Sequence, residues 1–167
     1  MESFNDNGDS YSGNVVWLTP PSIFKFLGGK FDLDPCACKD LPNNCANNYF
    51  TKEQDGLLQD WSKYKDVFCN PPYDYISLRE YTKKCIEKKD AVMLIYARTD
   101  TELFQKLIFP NAHSIFFIAG RLKFLNNKGE ESKNSAGAPS CLISFSEKMT
   151  KRFLQNDSLK GKLIYLK

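Results

Sequence analysis

Asn70-Pro71-Pro72-Tyr73 follows the apolar run Val67-Phe68-Cys69, and these residue types together suit one task. Asn70 carries a side-chain carbonyl acceptor. The backbone carbonyls of Asn70 and Pro71 each precede a proline, which has no N–H to claim them. Two acceptors can therefore converge on one planar NH2 group, while Tyr73 offers a π-face to a flat ring. The pattern describes a holder for a planar amine attached to an aromatic ring. The competing reading is a proline-stiffened turn in which Asn70 caps a helix.

The surrounding elements must place this motif. Val67–Cys69 reads as a short strand, and the two prolines force the chain out of the sheet, as at the carboxyl edge where open α/β sheets bind ligands. The spacing predicts a helix over residues 74–88, with Ser77 and Glu80 as a capping box and Leu78, Tyr81 and Cys85 on one face. Residues 91–97 are nearly all apolar, as in a central parallel strand buried on both faces. A second helix over 100–109 is expected to close at Pro110, followed by a strand over 114–119. Residues 126–140 form a long polar loop before a strand over 141–145. Upstream, Thr19 is expected to cap a short helix with Pro20 as its first residue; Gly28-Gly29 ends it. Phe31–Asp34 is a strand stopped by Pro35. Residues 38–50 read as irregular or weakly helical, and residues 1–14 as a loose polar tail. Strand and helix alternate, which is the α/β pattern.

The chain has 167 residues, the size of one domain. Its 13 Phe, 8 Tyr and 2 Trp supply a real core and exclude global disorder. No apolar run approaches the roughly 20 residues of a membrane span. The acidic, polar start matches no secretory or transit peptide, so the expected location is cytoplasmic. Net charge is +3, but residues 1–83 carry −4 and residues 84–167 carry +7. The basic half suits a polyanion; the alternative is chance segregation of solvated charge. Six cysteines stand at 36, 38, 45, 69, 85 and 141, with one histidine, His113. Their spacing favours buried free thiols over a zinc site.

Five ordered motifs resemble those of phage-type (Dam-like) DNA N6-adenine methyltransferases. They are Trp17-Leu18-Thr19-Pro20, Phe31-Asp32-Leu33-Asp34-Pro35, Asp55-Gly56-Leu57 with Trp61, Asn70-Pro71-Pro72-Tyr73, and Gly120-Arg121-Leu122-Lys123-Phe124. The resemblance covers residues 17–145. It implies a compact Rossmann-like core over residues 15–167, with a mainly parallel sheet and one or more antiparallel C-terminal strands. It implies S-adenosylmethionine as cofactor and DNA as partner, in the host cytoplasm if the protein is phage-encoded. The catalytic set would be Asn70, Pro71, Pro72 and Tyr73. The cofactor set would be Trp17, Thr19, Pro20, Asp32, Asp34, Pro35, Cys36, Ala37 and Asp55, with Asp34 foremost. Asp55 is otherwise a turn residue, Asp32 an outward-facing or capping one, and Trp17 a core aromatic. Phe68 and Tyr75 would wall the site. Arg98, Arg121, Lys123, Lys128 and Lys133 would contact DNA; each is otherwise a solvated charge.

The segment Pro35-Cys36-Ala37-Cys38 departs from the family by having no glycine. S-Adenosylmethionine has no phosphate for a glycine-rich loop to cradle, which weakens that need. On this reading an adenine extruded from the duplex stacks on Tyr73, and Asn70 and the Pro71 carbonyl accept from its N6 amine. Methylation of RNA adenine, of cytosine N4 or of protein glutamine, and an idle DNA-binding module, are the alternatives. Intact Asn70–Tyr73 argues against the last; the glycine-free loop and the Thr-Pro helix argue against glutamine.

Overall fold

A computed structural model describes residues 18–38, 45–126, 129–132 and 134–167. The expected tail over 1–14, Trp17, Lys128 and Lys133 lie outside the described residues. Among those described, seven strands form one sheet, mixed rather than mainly parallel as expected, in the order β2-β1-β3-β4-β6-β5-β7. They are β1 (Phe31–Asp34), β2 (Ala46–Tyr49), β3 (Val67–Cys69), β4 (Ala91–Tyr96), β5 (Ser114–Ile118), β6 (Ser140–Ser144) and β7 (Gly161–Tyr165). β1 pairs in parallel with β2 and β3, and β3 with β4. β6 lies antiparallel between β4 and β5, and β7 closes the far edge antiparallel to β5. The chain leaves β1 toward β2 on one side and returns to β3 on the other. The carboxyl ends of β1 and β3 therefore flank a topological switch point, where such sheets leave a crevice.

Both faces of the sheet are covered. Along β4, Ala91, Met93 and Ile95 join one core layer, and Val92 and Leu94 the other. This alternation explains its unbroken apolar sequence. The first layer lies under helix α2 (Tyr75–Lys88), which contributes Tyr81 and Cys85, and under a π-helical segment over Leu103–Ile108. The second lies under helix α1 (Pro21–Phe26) and the C-terminal segment bearing Met149 and Phe153.

Several local expectations are corrected. Pro20, not Thr19, occupies the N-cap of α1, with no side-chain cap bond. The helix does end at Gly28 and Gly29, whose φ of 74° and 109° suit residues without a Cβ. Asp74 caps α2 by accepting from Ser77 N (2.9 Å). Ser77 is therefore the third residue of the helix rather than its cap, and Glu80 pairs with Lys83 instead. The second helix is a π-helical run over Leu103–Ile108 that continues without a break into α3 (Phe109–Asn111) and stops one residue beyond Pro110. The Asn-rich stretch yields β2, an edge strand with exposed side chains. β1 satisfies its backbone there, so no apolar alternation was needed to form it. β6 begins one residue earlier than expected and β4 and β5 end one residue earlier. Part of the long polar loop folds back: Ser132 N donates to Phe124 O (2.9 Å) and Asn126 N to Glu130 O (2.8 Å).

The expected antiparallel C-terminal strands are β6 and β7, and a helical segment lies between them. Helix α4 (Glu147–Thr150) runs into a 3-10 turn, Lys151–Leu154, which delivers Arg152. Its guanidinium donates to Leu27 O, Lys30 O and Asp66 Oδ2 and lies 3.9 Å over the Phe31 ring. This clamp joins the end of α1 to the start of β1. The six cysteines are free thiols. No helix among the described residues is long and apolar enough to cross a membrane.

Candidate active site

β3 carries Asn70 to the sheet edge. Val67, Phe68 and Cys69 are fully buried, and Pro71 and Pro72 end the strand. The Asn70 amide is held from a distance of 51 residues: its Nδ2 donates to Thr19 Oγ1 at 3.1 Å. Thr19 is buried at 2% exposure. It sits between Pro20 and a two-bond ladder in which Leu18 N donates to Leu125 O and Leu125 N to Leu18 O.

β1 carries Asp34 to the neighbouring strand end. Its carboxyl is 4% exposed and accepts from Cys36 N (2.9 Å) and the Cys45 thiol (3.1 Å). No cation pairs with it among the described residues. Burial pushes its pKa up from 3.8 to about 6, and its two hydrogen bonds offset this only in part. Thiol contact links the two strand ends: Cys36 Sγ lies 3.7 Å from Cys69 Sγ, one residue before Asn70.

The Asp55 turn is fastened onto the Pro35 turn. A Cβ on Gly56 would lie 2.1 Å from Pro35 O, so only glycine allows this approach. Trp61 Nε1 donates to Gly56 O (2.8 Å) from below, and Trp61 stacks on Tyr81. The Tyr81 hydroxyl points at Pro35 O (3.5 Å). Asp55 has a φ of 49° and accepts from Leu57 N (3.1 Å). It is thus a turn residue, held beside the Asp34 strand end. Gly56 and Tyr81 carry this geometry; the sequence signal was a glycine inside the Asp-Gly-Leu motif and a tyrosine on the buried face of α2.

The Tyr73 ring packs against Tyr96 (centroids 4.5 Å apart) and edge-on to Phe124 (6.4 Å). Its hydroxyl is buried without a partner among the described residues, and burial raises its pKa strongly. Tyr96 was not singled out by sequence, although a tyrosine ending an otherwise apolar strand marks the same carboxyl edge.

Asp32, Phe68 and Tyr75 stand apart from the two strand ends. The Asp32 carboxylate accepts from Lys65 N (2.7 Å) and Asn48 Nδ2 (3.2 Å), so it ties β1 to its flanking segments. Phe68 lies in the core against Phe24 and Phe31 and walls no crevice. Tyr75 is exposed at the first turn of α2. Pro20, Pro35 and Ala37 are buried and Cys36 is half-buried around the two strand ends. Arg98 is exposed just beyond β4. Arg121 is exposed and donates to Ala136 O (3.2 Å), and Lys123 lies 3.9 Å from Glu131.

Fold and site together define an α/β protein that presents a buried carboxyl and an anchored amide on adjacent strand ends at a switch point. A carboxyl in that position suits a cationic ligand, and the amide suits a planar amine. The family DNA N-6-adenine-methyltransferase (Dam) matches residues 11–162, and the chain belongs to that family. It is 31% identical over 114 residues to a DNA N-6-adenine-methyltransferase of Escherichia phage T1, covering 64% of this chain and 46% of that relative. The chain thus spans about half the length of the curated relative it matches. No solved structure matches it.

Proposed function

We propose that this chain, on a Rossmann-like core, transfers a methyl group from S-adenosylmethionine to the N6 amine of adenine in DNA. The observation that carries this reading is the Asn70 amide. It stands on the carboxyl end of β3, anchored through its nitrogen, beside the buried Asp34 carboxyl on β1. S-Adenosylmethionine, when bound, supplies an electrophilic methyl on a sulfonium centre. The residues present fit a ligand that carries a sulfonium cation. Asp34 is buried and lacks a cationic partner among the described residues, so a positive ligand relieves its desolvation. Asp55, with the Pro35–Ala37 turn beneath it, is placed to accept from a ribose diol or an adenine amine.

The chain's residues then act on the target base. The Asn70 side-chain carbonyl and the Pro71 backbone carbonyl accept hydrogen bonds from the amine, which aims the nitrogen lone pair and favours its pyramidal form as charge develops. Tyr73 stacks on the extruded ring after turning from its contacts with Tyr96 and Phe124. The acceleration comes from orientation and placed dipoles, not from a covalent intermediate. Arg98, Arg121 and Lys123, with Lys128 and Lys133, supply phosphate contacts that weaken steeply with salt.

The test is methyl transfer from labelled S-adenosylmethionine to duplex DNA, single-stranded DNA, RNA and protein in parallel. Label in DNA adenine supports the reading. Label confined to RNA or protein, or no transfer despite cofactor binding, contradicts it.

A further inference from the structure

We infer that Thr19 is a positioning residue: by accepting from Asn70 Nδ2 its hydroxyl holds the plane of the Asn70 amide, and this is its contribution to methyl transfer. This rests on the function proposed above and departs from the cofactor-binding role that resemblance alone gives Thr19.

Three observations lead there. Thr19 does not serve α1, because Pro20 takes the N-cap and no side chain caps the helix. Its hydroxyl instead accepts from Asn70 Nδ2 at 3.1 Å. Thr19 itself has little freedom, since the Leu18–Leu125 ladder precedes it, Pro20 and Pro21 follow it, and its side chain is buried.

A primary amide has two ends of nearly equal shape and opposite hydrogen-bonding character. Rotation by 180° about its terminal torsion exchanges them, and that torsion is soft. A holder for an amine requires the carbonyl end toward substrate, because the NH2 end would set donor against donor. With Nδ2 donating to Thr19, Oδ1 is the opposite end of the group. The Leu18–Leu125 ladder also ties this anchor to the segment carrying Arg121 and Lys123. Seating of that segment on DNA and the aim of the amide thereby share one rigid connection.

The experiment compares wild type, Thr19→Val, Thr19→Ser, Asn70→Ala and the Thr19→Val/Asn70→Ala double variant. Valine keeps the shape and removes the acceptor; serine keeps the acceptor. Thr19→Val is expected to lower kcat on the order of 10- to 100-fold, as for a misplaced reacting group. The cofactor Kd stays at the wild-type value, and Thr19→Ser recovers most of the lost rate. The double variant is expected to be no slower than Asn70→Ala alone, because the two residues act as one unit. Independently of turnover, the Asn70 side-chain NH2 resonances should shift and lose exchange protection in Thr19→Val but not in Thr19→Ser. Equal loss in the serine and valine variants, loss of cofactor binding in parallel with rate, or unchanged Asn70 resonances would overturn the inference. A wild-type enzyme that methylates no adenine sinks the parent reading; an active wild type matched by Thr19→Val sinks only this one.

Discussion

Asp34→Asn separates what the buried carboxyl costs the fold from what it gives the site. In the folded chain the carboxyl titrates near 6 against 3.8 for the free group, a difference of about 3 kcal/mol. The sign follows from proton binding. Between about pH 4 and pH 6 the native carboxyl keeps its proton while the unfolded one has released it, so stability falls as pH rises through that window and is flat above it. Asparagine never ionises, and its carbonyl can still accept from Cys36 N. The variant should therefore be more stable than wild type at pH 8 by about 3 kcal/mol, or roughly 6–12 °C in Tm for a chain of this length. The gap should close by about pH 4. Urea denaturation of both proteins at pH 4.5 and pH 8 reads this difference, and groups common to both cancel. The same substitution should abolish S-adenosylmethionine binding. In wild type near pH 6, cofactor binding should release protons, measured calorimetrically in buffers of different ionisation enthalpy. An Asp34→Asn protein less stable than wild type at pH 8, or a gap independent of pH, would refute the reasoning.

Three further outcomes follow from named contacts. Gly56→Ala would place a Cβ 2.1 Å from Pro35 O, and since the obstacle is backbone, about 1–3 kcal/mol of stability should be lost; cofactor affinity, read by titration, should fall with it. Arg152→Met removes the partner of Asp66 in a pair whose side chains are only 15% and 13% exposed, so about 3 kcal/mol should be lost, visible as a lower urea midpoint. Arg121→Glu should weaken DNA binding in a filter or anisotropy assay and flatten its salt dependence, with cofactor affinity unchanged.

The parts of the fold legible in the sequence were those bounded by stiff residues. Pro35 and Pro71 stop β1 and β3 where expected, and these are the strands that carry Asp34 and Asn70. What escaped was set by distant partners. Thr19 has the chemistry of a helix cap, but a bond across 51 residues competes with the local one and wins. The β2 strand is invisible by periodicity because an edge strand with exposed side chains needs only backbone pairing with β1. The same holds for β7, which rests on β5. The Asp32 carboxylate alternates with Asp34 along one strand, and nothing local distinguishes them. Only the positions of Lys65 N and Asn48 give Asp32 its structural task. The Arg152 clamp joins residues more than 120 positions apart, beyond any motif.

The most direct test of the central claim is the identity of the modified nucleoside. Duplex DNA is incubated with S-adenosylmethionine and wild type or Asn70→Ala, digested to nucleosides and resolved by mass spectrometry. The account predicts N6-methyladenine with wild type, and its loss with Asn70→Ala while cofactor binding persists. N4-methylcytosine in its place, no methylated nucleoside, or undiminished N6-methyladenine without the Asn70 amide would contradict it.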